Sequence, residues 1–253
     1  MDKQTTLIDP TLNTTAVILA GGLGTRLRGV VSDRPKVLAE VNGRPFLEYL
    51  LDQVIETGIR KVVLCTGYMA EQIEDLFGDN YRSLQISYSR EQALLGTAGA
   101  LRFALPKVTT DTVFVMNGDS YCEFDFEVFA AQHFASTAKA SILLKKIDSI
   151  QRYGQVHVDS NNRIMSFEEK GLNDGVGWIN AGIYLLSTSL LREVPLGRNV
   201  SLEREIFPTW IGKEFYGVPQ ESGAFIDIGT PSSLIQAQQM FARACSTSGE
   251  IKL

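Results

Sequence analysis

Residues 16–27 read Ala16-Val17-Ile18-Leu19-Ala20-Gly21-Gly22-Leu23-Gly24-Thr25-Arg26-Leu27. An unbroken apolar run leads straight into a glycine turn. A continuous run, as opposed to an alternating one, describes a strand buried on both faces, as in a parallel sheet. Lys61-Val62-Val63-Leu64-Cys65 and Thr112-Val113-Phe114-Val115-Met116 repeat the pattern. Between these runs the period changes. From Pro45 the apolar positions are Phe46, Leu47, Leu50, Leu51, Val54 and Ile55, a helical stripe with Pro45 near its start and Gly58 just past its end. Residues 69–77 and 96–105 read as further helices. Strand and helix in alternation predict βαβ units and a parallel sheet covered by helices on both faces.

Beyond about residue 139 the texture shifts. Segments 140–144, 155–158, 163–167 and 178–186 read as strands in close succession, with Asn161-Asn162 as a hairpin turn. Some antiparallel pairing is therefore expected there. Thr230-Pro231 opens a last helix, running to roughly Ala244, with Thr230 as its N-cap. No repeat, low-complexity stretch or linker divides the chain. One domain over 16–244 is expected, with parts 16–138 and 139–244 and a small accessory β lobe.

The composition narrows the class. The chain has 253 residues, 44% hydrophobic and 21% charged, with a net charge of −5. That balance is globular, and it argues against holding nucleic acid by bulk charge. No apolar run approaches the ~18 residues of a membrane span. The polar stretch 1–15 lacks the apolar core of a signal peptide. Cys65, Cys122 and Cys245 form neither a metal spacing nor a disulfide framework, so a cytoplasmic location is expected. Of the two histidines, His133 follows a helix and is expected to be exposed. His157 alternates with Val156 and Val158 on a strand. Neither has a nucleophile partner in a recognisable arrangement.

The glycine turn carries the chemistry. Glycines let backbone N–H groups approach a ligand, and several together make a concave anion site. The spacing matches neither the dinucleotide fingerprint nor the P-loop. The turn is followed instead by Thr25 and Arg26, then by Pro35-Lys36, with Arg26 and Lys36 separated by 36 − 26 = 10 positions. Cations beside a backbone cradle suit a triphosphate. Asp119 follows a buried strand in Asn117-Gly118-Asp119. Asp227 lies in the apolar run Phe225-Ile226-Asp227-Ile228. A carboxylate there must be paired or bind a cation, and two such groups could hold Mg²⁺ together with a phosphate.

Taken in order, Gly21-Gly-x-Gly-Thr-Arg-Leu, Pro35-Lys36, Leu95-Gly-Thr-Ala-Gly99, Asn117-Gly-Asp119, Glu168-Glu-Lys170, Asn180-Ala-Gly182 and Asp227-Ile-Gly-Thr-Pro231 resemble the motifs of the sugar-1-phosphate nucleotidyltransferases. The resemblance covers roughly 16–240. It implies an α/β, Rossmann-like fold with a mixed, mainly parallel sheet flanked by helices. It also implies transfer of a nucleotidyl group from an NTP to a sugar 1-phosphate with release of pyrophosphate. Residues 35–50 are most similar to the short bacterial guanylyltransferases. That implies GTP with a heptose 1-phosphate, or mannose 1-phosphate or another base as the alternative within the class.

By motif, Leu19, Ala20, Gly21, Gly22, Gly24, Thr25, Arg26, Glu91, Gly96, Thr97, Asn117 and Gly118 would bind the nucleotide. Gly154, Glu169, Lys170 and Asn180 would bind the sugar phosphate, making 139–244 the sugar-phosphate half. Arg26, Lys36, Asp119 and Asp227 would be catalytic, with Asp119 and Asp227 holding Mg²⁺. A homodimer is admitted, while no nucleic acid or membrane partner is implied. The non-enzyme alternative is a silent regulatory subunit that binds sugar nucleotides. The presence of all four catalytic candidates speaks against it.

Overall fold

The computed structural model describes residues 14–168, 171 and 175–247, with side chains as far as residue 242. In chain order the first elements are β1 (Thr15–Leu19), the short ladder β2 (Glu40–Val41) and β3 (Arg44–Pro45), and α1 (Phe46–Glu56). Then come β4 (Lys61–Thr66), α2 (Ala70–Phe77), β5 (Asn80–Tyr81), β6 (Leu84–Arg90) and α3 (Gly96–Ala104). They are followed by β7 (Thr112–Asn117), β8 (Ser120–Cys122), α4 (Phe126–Ala135) and β9 (Ala140–Ile147). The remainder comprises β10 (Val156–Val158), β11 (Ile164–Phe167), β12 (Gly177–Ser187), α5 (Thr188–Arg192), α6 (Phe207–Trp210), β13 (Phe215–Gln220), β14 (Phe225–Asp227) and α7 (Pro231–Thr247).

The central sheet has eight strands in the order β13-β9-β12-β7-β1-β4-β6-β5. Strands β7, β1, β4 and β6 are parallel, while β12 runs against both β7 and β9. This is the mixed, mainly parallel sheet that was expected. Along β1, Ala16 and Ile18 join the core on one face while Val17 joins the core on the other, and all three are at most 1% exposed. That two-sided burial explains the unbroken apolar run. Burying Val17 and Ile18 contributes about 1.5–3 kcal/mol each, so a charge placed at either position would be strongly destabilising.

The helices cover both faces. The expected stripe of α1 buries Phe46, Leu47, Leu50, Leu51 and Val54 on one face, and α3 buries Ala98, Leu101 and Ala104 on the other. Thr230 caps α7 as anticipated, accepting the Ser233 N–H at 3.2 Å. The turn at Asn161-Asn162 joins β10 to the antiparallel β11, and Asn162 takes φ +60°. Three strands of the main sheet, the two-residue β5 and the longer β6 and β13, have no counterpart in the sequence reading. Leu84-Gln85-Ile86-Ser87-Tyr88 alternates polar and apolar residues, and β13 contains a glycine and a proline. His133 corrects an expectation. It lies inside α4, is 3% exposed, and bonds through Nδ1 to Ser141 Oγ on β9 at 2.8 Å. Among the described residues no helix is long and apolar enough to cross a membrane.

Candidate active site

Strands β1, β4 and β7 end side by side, with Leu19 paired to Cys65 on one flank and to Asn117 on the other. Ligands collect at this edge of an open parallel sheet. Here the glycine turn leaves β1. Gly24 takes φ +59°, a conformation that costs other residues energy. A methyl group on Gly21 would stand 2.9 Å from Glu91 Oε1, whereas one on Gly22 would meet nothing within 4 Å. The outer edge of the turn is therefore bare backbone, open to a ligand. Leu19, Ala20, Gly21, Gly22, Lys36, Glu91, Gly96, Thr97, Asn117, Gly118 and Asp119 line one cavity of about 250 Å³, with Val37, Cys65, Leu94 and Ala100 completing its wall.

One wall of that cavity is α3, and its glycines have a structural reason. A methyl on Gly96 would lie 2.5 Å from the Val200 carbonyl oxygen, and one on Gly99 would lie 2.4 Å from that of Arg198. Segment 198–200 is thus pressed against α3. The Ala98 N–H donates to Val200 O at 3.0 Å, and the Val200 N–H to Leu95 O at 2.8 Å. Glu91 faces this wall, and its Oε2 accepts the Leu95 N–H at 3.2 Å. Burial pushes the Glu91 carboxyl above its ordinary pKa, with the Leu95 N–H pulling the other way.

The two aspartates meet through a short ladder. Strands β8 and β14 pair antiparallel with Asp227 opposite Ser120, and the Ile228 N–H donates to Asp119 O at 2.9 Å. Residues 108 positions apart (227 − 119) thereby become neighbours. Lys36 Nζ lies 2.6 Å from Asp119 Oδ2, with the Asp119 side chain still 41% exposed. Burial pushes the Asp119 pKa up. The charge and hydrogen bond of Lys36, helped by Ser120 and Arg26, outweigh this and hold it below the usual carboxylate value. A methyl on Gly229 would stand 2.7 Å from Asp227 Oδ1, 3.3 Å from Arg26 Nη2 and 3.5 Å from Lys36 Nζ. Arg26, Lys36 and Asp227 therefore converge above one bare backbone position. Thr25 is exposed on the turn beside Arg26.

Gly154 and Asn180 stand further from the cavity. Gly154 takes φ +77° directly after Arg152 and Tyr153, and both of these side chains hold Asp227. The Tyr153 hydroxyl donates to Asp227 Oδ2 at 2.5 Å, and Arg152 Nη2 lies 3.3 Å from the same oxygen. Asn180 stands behind the cavity wall: its Nδ2 donates at 3.0 Å to the Tyr184 hydroxyl, which also accepts from the wall residue Asn117 at 3.5 Å. Glu169 and Lys170 lie outside the described residues.

Arg152 and Tyr153 escaped the sequence reading as partners of Asp227, although their place just before Gly154 was a usable signal. Glu203 and Tyr184 carried none. A glutamate on a short turn and a tyrosine in an apolar strand resemble ordinary surface and core residues.

Arg26, Lys36, Asp119 and Asp227 thus come together at one edge of parallel strands, beside the glycine turn. The chain belongs to the Nucleotidyl transferase family, which matches residues 15–244. It is 37% identical over 225 residues to the D-glycero-alpha-D-manno-heptose 1-phosphate guanylyltransferase of Aneurinibacillus thermoaerophilus, spanning 88% of this chain and 96% of that one. The mannose-1-phosphate guanylyltransferase of Mycobacterium tuberculosis is 33% identical over 241 residues, 94% of this chain and 67% of that one. HddC from Yersinia pseudotuberculosis, solved in complex with GMP-PN, superposes with a TM-score of 0.79 at 32% identity. The match covers 90% of this chain and 99% of HddC.

Proposed function

We propose that this single domain joins GTP to D-glycero-α-D-manno-heptose 1-phosphate, giving GDP-heptose and pyrophosphate. The reading is carried by the β8–β14 ladder, which sets Asp119 and Asp227 side by side at the rim of a glycine-lined cavity. A phosphate oxygen of the sugar 1-phosphate attacks the α-phosphorus of GTP in line. The bond from that phosphorus to the bridging oxygen breaks, and pyrophosphate leaves with the electron pair. No covalent enzyme intermediate is needed, so the protein acts by placement and charge neutralisation. The bare turn at Gly21 and Gly22 receives the phosphates. Arg26 steadies the departing pyrophosphate, and Lys36 offsets charge beside the α-phosphate.

Mg²⁺ suits this donor set. Asp119 and Asp227 offer hard oxygen ligands, and among the described residues no group of three or more His, Cys, Asp or Glu side chains converges as a cage. A pair of carboxylates completed by phosphate oxygens is the arrangement Mg²⁺ prefers, and the ion would supply further neutralisation of phosphate charge.

Guanine is favoured over other bases by Glu91. Its carboxylate sits in the cavity wall and can accept both N–H donors on guanine's pairing edge. Gly154, Asn180, Glu169 and Lys170 are assigned to the sugar phosphate on motif alone. Cys65 and Cys122 are free and buried, in keeping with a reducing cytoplasm. Pyrophosphate release measured for each of four NTPs against heptose, mannose and glucose 1-phosphates tests the reading. GTP with the heptose 1-phosphate should give the highest kcat/KM. A higher value with mannose 1-phosphate would move the assignment within the class, and no turnover with any pair would refute it. Sedimentation velocity reads whether two copies associate.

A further inference from the structure

A buried polar relay joins the nucleotide wall to Asn180, and its direction can be worked out bond by bond. Tyr184 is 0% exposed on β12, and its hydroxyl accepts from Asn180 Nδ2 at 3.0 Å. The Asn180 amide cannot be turned round, because its Oδ1 already accepts the Gly182 N–H at 2.8 Å. Gly182 sits in the irregular stretch of β12 between Asn180 and Tyr184, with φ +78°. The Tyr184 hydroxyl must therefore send its own proton elsewhere. The hydroxyl also accepts from Asn117 Nδ2 at 3.5 Å, and its own acceptor is Glu203 Oε1, at 3.5 Å.

Burial, followed by the nearby Glu203 charge, raises the Tyr184 phenol far above its ordinary pKa, so that proton stays in place. The second oxygen, Glu203 Oε2, accepts the Thr97 hydroxyl at 2.8 Å and the Ser201 hydroxyl at 3.1 Å. Thr97 Oγ1 in turn accepts the Leu202 N–H at 2.7 Å. Thr97 lines the nucleotide cavity. An ionised carboxylate accepts and never donates, so Glu203 sets the direction of its bonds from Tyr184, Thr97 and Ser201.

We infer that Glu203 is a positioning residue which, through Tyr184, holds the Asn180 amide nitrogen, already turned outward as a donor by the Gly182 N–H on Oδ1, toward the sugar 1-phosphate. The amide nitrogen carries two protons and Tyr184 takes one. The other is left for an oxygen of the sugar or of its phosphate. Glu203 touches neither substrate. The inference rests on the nucleotidyl-transfer reading above, and the experiment separates the two.

Glu203→Gln is the discriminating change. The glutamine carbonyl can still accept from Thr97 and Ser201, so the nucleotide wall keeps its support. Its NH₂ then faces Tyr184, donor against donor, so the hydroxyl loses its acceptor and the shorter Asn180 arm is disturbed more than the 3.5 Å contact from Asn117. In the full chain, Glu203→Gln should raise the KM for the sugar 1-phosphate about tenfold, the value of one ordinary hydrogen bond at roughly 1.4 kcal/mol. The KM for GTP should stay near that of the wild type. Tyr184→Phe removes one oxygen from a packed ring, and with it the long 3.5 Å contact from Asn117; it should still raise the KM for the sugar 1-phosphate more than that for GTP, and it serves if the first variant does not fold. The double variant should be no worse than either single one, because both cut the same arm.

An unchanged sugar-phosphate KM in folded Glu203→Gln or Tyr184→Phe would overturn the inference alone. Equal rises in both KM values, or additive losses, would reduce Glu203 to a structural support and overturn it as well. No wild-type turnover with any sugar 1-phosphate would overturn the parent reading, and this inference with it.

Discussion

The two parts of the sheet build their shares of the site differently. In the part before residue 139, neighbouring parallel strands end at one level, and their turns supply mostly backbone: Ala20, Gly21, Gly22 and Gly118 around the cavity. The later part has, among its described residues, none that lines the cavity. Its contribution arrives by long-range pairing, with β14 laid on β8 to deliver Asp227 and segment 198–200 pressed against α3 to shape the wall. A parallel edge makes a cradle cheaply, because every strand end points the same way. Side chains that must meet a particular phosphate have to be imported.

That contrast is broken most directly at the imported carboxylate. If Asp227 and Asp119 act on the same phosphates, Asp227→Asn should lower kcat/KM about a thousandfold, and Asp119→Asn by a similar factor. Circular dichroism should be unchanged in both. Near-normal turnover in folded Asp227→Asn would mean that the ladder only closes the structure.

The seam between the parts is tested at His133, which reaches Ser141 across it. Burial pushes the His133 pKa down to about 4 from 6.5. The unfolded chain then binds more protons between those values, so stability is complete above pH 6.5 and falls as the pH drops toward 4. The full loss is roughly 3 kcal/mol. Denaturant unfolding from pH 7 to pH 4 should show this fall in the wild type and a shallower one in His133→Gln. Parallel curves would place the acid sensitivity elsewhere.

The smallest effect concerns base choice in the local part. Glu91→Gln exchanges an acceptor for a donor opposite one guanine N–H, and should cut the preference for GTP over other NTPs about tenfold. Because burial raises the Glu91 pKa, the KM for GTP should begin to rise on acidification at a higher pH than an ordinary carboxylate would give. An unaltered base preference in the variant would remove Glu91 as the guanine reader.

Legibility in the sequence followed the same division. The buried strands β1, β4 and β7 were readable because two-sided burial demands an unbroken apolar run. The helix α1 was readable because one-sided burial demands a stripe. The alternating β6 and the glycine- and proline-bearing β13 were not, since neither carries a run. The exposed position expected for His133 failed because a helix covered on one side by β9 can bury a polar ring that finds Ser141. Gly96 and Gly99 stood out in the sequence as a motif, yet the reason for them, the carbonyls of Val200 and Arg198 against the helix, needed the fold.

By itself the order of residues determined the sheet's parallel core, the glycine turn and the chemical types on offer: two cations, two carboxylates and a backbone cradle. Those follow from short-range periodicity and from what each side chain can donate or accept. The motifs had already put Asp227 and Asp119 on one Mg²⁺. Only the tertiary structure decided that the β8–β14 ladder would bring them together, that Arg152 and Tyr153 would hold Asp227, and that Glu203 would reach Asn180 through Tyr184. Such partnerships depend on which distant segments pair and in what register, and local sequence patterns carry no record of that.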